Sequence, residues 1–140
     1  MSEEIIEKLI GVWELDDWRS VRNGEFYSFP MGKDSKGQLI YTREGMMSGF
    51  LMRSDFGDEP TRSDTSAKKS LSYGGRFYVK GDEVFHEVSL STIPEWLGTD
   101  LIRTIIWKDD KLLLKTTPEK GRDGADYSNE LLWKKRALVY

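Results

Sequence analysis

Tight turns between short apolar strands are the feature that most limits how this chain can fold. Asn23-Gly24, Arg43-Glu44-Gly45, Lys80-Gly81-Asp82 and Asp109-Asp110 each separate runs rich in apolar, β-branched and aromatic residues. Asn-Gly is a strong signal for a two-residue hairpin turn, because both residues tolerate positive φ. The pattern predicts strands over residues 11–21, 25–29, 38–42, 46–53, 76–79, 83–91, 100–108, 112–117 and 127–135. Consecutive hairpins without long crossovers favour a meander closed on itself, since closure removes exposed sheet edges. We therefore expect an all-β chain: an up-and-down antiparallel β-barrel of eight to ten strands, forming a single domain over residues 1–140. Such a barrel can hold side chains and one small ligand.

Residues 2–10 read as a short helix. Ser2 can cap it, Glu3 and Glu4 suit the positive end of its dipole, and Ile5, Ile6, Leu9 and Ile10 share one face. It is too short to stand alone and is expected to lie across one end of the barrel as a plug. Residues 54–65 form a long polar connection of the kind that serves as a lid or flap. Residues 66–73 are read as a second short helix.

Composition narrows the partners. The chain has no cysteine and one histidine, which rules out disulfides, thiolate metal sites and multi-histidine metal sites within the chain. A net charge of −3 with basic and acidic residues interspersed argues against nucleic acid and anionic membranes as partners. The acidic start, MSEEIIEKLIGVW, lacks the basic region and long apolar core of a signal peptide, and no apolar run reaches the ~18 residues of a spanning helix. These readings predict a cytoplasmic protein with no metal and no cofactor. Gly24, Gly32 and Gly37 do not make a phosphate-cradling loop, and the acids around Asp55 lack calcium-loop spacing.

The stretch YGGRFYVKGDEVFHEVSLSTIPEWLGTDLIRTIIW, from Tyr73 to Trp107, holds the candidate site. Strand alternation puts His86 on one face with Val84, Val88 and Leu90, and Arg103 with Leu101, Ile105 and Trp107. An imidazole facing the interior can act as acid, base or hydrogen-bond partner, or be an ordinary core histidine. A guanidinium on an apolar face needs a partner, either Asp17, Glu87 or an acidic group on a ligand. Trp96, two residues after Pro94, is read as a stacking lid or as corner packing. Tyr41, Phe50 and Met52 are candidates for the pocket wall, ordinary core packing being their plainer role.

The segments GVW, LIYTREGMMSGFLMR, the Tyr73–Trp107 stretch and LLWKKR together resemble the lipocalin-like domain family of small bacterial and fungal proteins. The resemblance spans residues 9–136. Its most specific part runs from Gly75 through His86 and Pro94-Glu95-Trp96 to Arg103. It implies a calycin-type barrel and a small apolar ligand. By similarity to the wider lipocalin pattern it also implies that Arg136 covers Trp13 at the barrel base. The chain departs from secreted lipocalins in lacking disulfides and a signal peptide, which argues against extracellular transport.

Four functions follow as alternatives. The leading one is a barrel binding a small, mostly apolar or weakly acidic metabolite, anchored by His86 and Arg103. The second is a cofactor-free isomerase or cyclase, with His86 moving a proton and Arg103 stabilising an oxyanion. The others are a haem protein with His86 as axial ligand and a filled scaffold, monomeric or homodimeric.

Overall fold

The computed structural model describes residues 2–58 and 69–139. Among them α1 (Ser2–Leu9) precedes ten strands: β1 (Gly11–Arg22), β2 (Glu25–Ser28), β3 (Lys36–Tyr41), β4 (Met46–Met52), β5 (Ser70–Lys80), β6 (Glu83–Ser91), β7 (Asp100–Lys108), β8 (Lys111–Thr116), β9 (Glu119–Lys120) and β10 (Asp126–Lys135). They form one antiparallel sheet in the order β2-β1-β3-β4-β5-β6-β7-β8-β10-β9, with β1 also pairing β10. That last pairing closes eight strands into a barrel. β2 and β9 are short flaps hydrogen-bonded to β1 and β10. No helix among the described residues is long and apolar enough to cross a membrane.

Local chemistry accounts for the turns. Asn23 and Gly24 both take positive φ, 49° and 83°, as a type I′ hairpin requires. The Asn23 side chain also accepts a hydrogen bond from the Asp126 backbone N–H at 2.9 Å, tying this turn to the start of β10.

The helix does close one end. Leu9 is fully buried, and its carbonyl accepts the indole N–H of Trp13 at 2.8 Å. Glu7 pairs with Arg43 from the β3–β4 turn, and Lys8 Nζ sits 4.0 Å above the Trp107 ring. The expected arginine cover over Trp13 is corrected. Trp13 pairs in register with Lys135, whose ammonium lies 5.2 Å from the indole, while Arg136 donates to Glu14 at 2.6 Å.

β-Bulges in β1 and β6 shift the side-chain alternation around the interior. In β1, Leu15 faces Trp133 and Asp17 faces Leu132, so Asp16 is an extra residue. Trp18 is thereby turned inward, onto the face of Trp13, rather than to the opposite face. In β6, Gly75 faces Val88 while Gly74 faces Leu90, leaving Ser89 as the extra residue. Val84, His86 and Val88 point inward as expected, but Leu90 is thrown outward and is 72% exposed. The helix expected over residues 66–73 is also corrected. Its first residues lie outside the described ones, and Ser70–Tyr73 belong to β5, paired with β4 from Met52↔Ser70 to Gly49↔Tyr73. The lid read over residues 54–65 falls largely outside the described residues. Its described start folds into tight turns, Phe56 N–H to Arg53 C=O and Asp58 N–H to Asp55 C=O.

Gly75 makes the β6 bulge possible. A Cβ there would lie 1.9 Å from the Glu87 carbonyl oxygen, a backbone atom that cannot yield without moving the strand. Gly75→Ala is therefore expected to lower stability by about 1–3 kcal/mol, read as a lower urea midpoint with an unchanged slope. An unaltered midpoint would contradict the close approach.

Candidate functional site

The barrel interior is not filled by side chains throughout. A cavity of about 180 Å³ lies inside it, walled by Leu39, Leu51, Leu71, Leu114 and Leu131 and by the indoles of Trp18, Trp96 and Trp133. β4 contributes Gly49 to the wall, where a Cβ would meet only ordinary contacts, the nearest at 3.7 Å from Leu39. The glycine has no steric need of its own, and what it provides is room.

Polar groups from successive strands reach this space. Tyr73 comes from β5, His86 from β6, Arg103 from β7, Thr116 from β8 and Asn129 from β10. The last two are organised: the Asn129 backbone N–H donates to Thr116 Oγ1 at 2.8 Å, and Asn129 Oδ1 accepts from Trp18 Nε1 at 2.9 Å. Arg103 and Thr116 are direct cross-strand neighbours.

His86 is 1% exposed and held between two tyrosines. Its Nε2 is 2.7 Å from the Tyr41 hydroxyl and its Nδ1 is 2.9 Å from the Tyr73 hydroxyl. Burial, reinforced by the nearby Arg103 guanidinium, pushes the imidazole down to about 3, so it is neutral through the physiological range. Burial raises both tyrosines. For Tyr41 the rise is large and the charge of Arg103 only partly offsets it, while for Tyr73 the positive charge of the nearby guanidinium holds the rise down.

Arg103 lacks the internal acid expected for it. Asp17 pairs with Arg19, and Glu87 with Arg76 at 3.7 Å. Among the described residues no carboxylate lies within ion-pair distance of Arg103, which donates to the Ile102 carbonyl at 3.1 Å. Among the described residues that line the cavity it alone carries a formal charge.

Of the residues singled out from sequence, His86, Arg103 and Trp96 meet at the cavity. Trp96 sits on a 3-10 turn, Pro94–Trp96, at the barrel end away from α1, its ring edge-on to Tyr73 at 5.4 Å. Tyr41 is inward and buried but stands behind His86, outside the lining. Phe50 and Met52 are corrected. Met47, Gly49 and Leu51 take the inward parity of β4, which leaves Phe50 46% exposed, and Met52 joins it on an outer depression with Lys36 and Gln38. Sequence reading missed Tyr73, Trp18, Thr116 and Asn129. Strand parity would have found Tyr73 had β5 been extended back from Arg76. Among the described residues no group of three or more acidic or histidine side chains could hold a metal ion, and both nitrogens of His86 are engaged by tyrosines.

The family model of the lipocalin-like domain matches residues 10–136. The chain belongs to this family. A curated relative, the 4'-hydroxy-3'-methoxypropiophenone carrier protein ppsC of Aspergillus oryzae, is 34% identical over 73 residues, covering 46% of this chain and 66% of the relative. The chain thus spans just under two thirds of the length of that relative. The closed barrel agrees with the family's fold, and the family's barrel architecture supports a small-molecule binding role.

The buried neutral histidine has a consequence for stability. From about pH 6.5 down to about 3 the unfolded imidazole binds a proton that the folded one refuses, so stability falls as pH falls through this window. As the chain has one histidine, the effect belongs to one group. Between about pH 7 and about pH 5 the expected loss is roughly 2 kcal/mol. His86→Gln should show a much flatter profile in urea titrations. Equal pH dependence in both proteins would show that His86 titrates normally.

Proposed function

We propose that this barrel binds, and in that sense carries, one small, mostly apolar and weakly acidic molecule about the size of a substituted aromatic ring. The observation that carries this reading is a leucine- and tryptophan-walled cavity of about 180 Å³ inside the barrel, with a guanidinium in its wall that has no ion-pair partner among the described residues. An apolar cavity of about 150 Å³ accepts a benzene ring, so the space suits a ring with short substituents. A part-buried cation in the cavity wall, with no carboxylate within ion-pair distance among the described residues, favours a ligand that brings negative charge or a strong acceptor. The relative's printed ligand, a phenolic single-ring ketone, is of this chemical class and supports the reading.

The alternative of a cofactor-free isomerase or cyclase using His86 as acid or base draws less support. Both imidazole nitrogens are occupied by tyrosine hydroxyls, so a ligand proton would have to pass through Tyr73 to reach the ring.

The test is thermal unfolding with 4'-hydroxy-3'-methoxypropiophenone as the probe, on the native chain and on Gly49→Leu. A ligand that binds only the folded state, at about 100 times its Kd, adds about 2.7 kcal/mol, which for a chain of this size is roughly 10 °C in Tm. The native chain should show a saturable rise of this order. Gly49→Leu, whose side chain grows into the cavity from a strand position with ordinary contacts, should fold and show none. A variant that binds as well as the native chain would refute the cavity as the binding site.

A further inference from the structure

The hydrogen-bond arithmetic around His86 assigns a direction to the site, and this inference rests on the cavity being the ligand site. A neutral imidazole has one donor nitrogen and one acceptor nitrogen. With a tyrosine on each side, only two arrangements are available. If the proton is on Nε2, then Nε2–H donates to Tyr41 and the Tyr73 hydroxyl donates to Nδ1. The Tyr41 hydrogen is then left over. Tyr41 is 1% exposed, stands outside the cavity lining, and has no other polar partner among the described residues, so that hydrogen would be buried without an acceptor.

If the proton is on Nδ1, the Tyr41 hydroxyl donates to Nε2 and Nδ1–H donates to the Tyr73 oxygen. The hydrogen left over is now that of Tyr73, which lines the cavity. The Tyr73 oxygen already accepts from Nδ1–H, and the positive charge of the nearby Arg103 guanidinium acts on the same oxygen, so its O–H is free to turn inward. This arrangement leaves no buried donor stranded in the trio.

We propose that Tyr73 and Arg103 form a donor-only clamp for an acceptor oxygen of the ligand, a carbonyl or a carboxylate attached to its ring. Tyr41 and His86 act behind it as positioning residues that fix the direction of the Tyr73 hydroxyl. His86, the most conspicuous residue of the sequence, then makes no polar contact with the ligand. Selectivity lies with a tyrosine and an arginine on neighbouring parts of the wall, both of which offer protons to the ligand.

The single histidine gives an unambiguous probe. A long-range ¹H–¹⁵N spectrum of uniformly labelled protein at neutral pH should show a protonated Nδ1 and an unprotonated Nε2. The opposite tautomer overturns the proposal. Binding is then compared for acetophenone, benzoate and ethylbenzene, which share a ring and differ in the acceptor. The native chain should favour the carbonyl or the carboxylate over ethylbenzene by about tenfold or more, and which of the two is tighter identifies the ligand's polar group. Tyr73→Phe should erase most of that preference while leaving ethylbenzene affinity within a few-fold. Tyr41→Phe should weaken the preference without touching the ligand and should shift the His86 tautomer balance, a change that a merely structural role would not produce. If all three compounds bind without preference, or if the preference survives Tyr73→Phe, the clamp is wrong and the cavity reading stands. If none of them binds the native chain, both fail together.

Discussion

Closure of the sheet between β1 and β10 is the constraint on which the remaining features depend. Nine residues of β1 pair with β10, so the interior is sealed along its full height on that side, while α1 seals one end. Without that seam, His86 would lie on the face of an open sheet, hydrated and titrating near its usual value. With it, the imidazole is enclosed, neutral and dependent on tyrosines for its hydrogen bonds. The Arg103 guanidinium is part-buried at the cavity wall with no carboxylate beside it among the described residues, and partial shielding from water strengthens its pull on a ligand's acceptor.

The interior shows two kinds of packing. Towards the helix end, Leu9, Trp13, Leu112 and Tyr41 are almost wholly buried and fill the space. Away from it the wall is made of leucines, indoles and Gly49, and about 180 Å³ is left unfilled by side chains. Relative to a packed core, space of that size costs on the order of 4 kcal/mol, which apolar contacts with a ligand can return. Stability and occupancy are therefore coupled through the same residues. A small barrel that gives up this much packing, and keeps a cation in its wall with no acid beside it among the described residues, has the features that the proposed binding role calls for.

The fold was legible in the sequence because its determinants are local. Asn23, Gly24 and Asp109 take the positive φ values that their residue types suggest, and the hairpins they join follow in order. The inward placement of His86 and Arg103 followed from strand alternation. What was not legible depended on shifts of one residue. The extra residues at Asp16 and Ser89 turned Trp18 in and Leu90 out, and nothing in either residue type marks a bulge. β4 could be read in two parities, and only its pairing with β3 and β5 put Gly49 inside and Phe50 outside. Tyr73 was hidden by a helix-like reading of the residues before it, and Lys135 rather than Arg136 covers Trp13 because register, not residue type, decides which cation lies over the ring.

The central claim is that a single-ring molecule enters the leucine-walled half of the barrel. It is tested most directly by titrating methyl-labelled protein with 4'-hydroxy-3'-methoxypropiophenone and following the leucine methyl resonances. The account predicts saturable ring-current shifts concentrated at Leu39, Leu51, Leu71, Leu114 and Leu131, with Leu90, Leu97 and Leu138 on the outer surface unmoved. Shifts confined to the outer leucines, or none at the solubility limit of the compound, would contradict it.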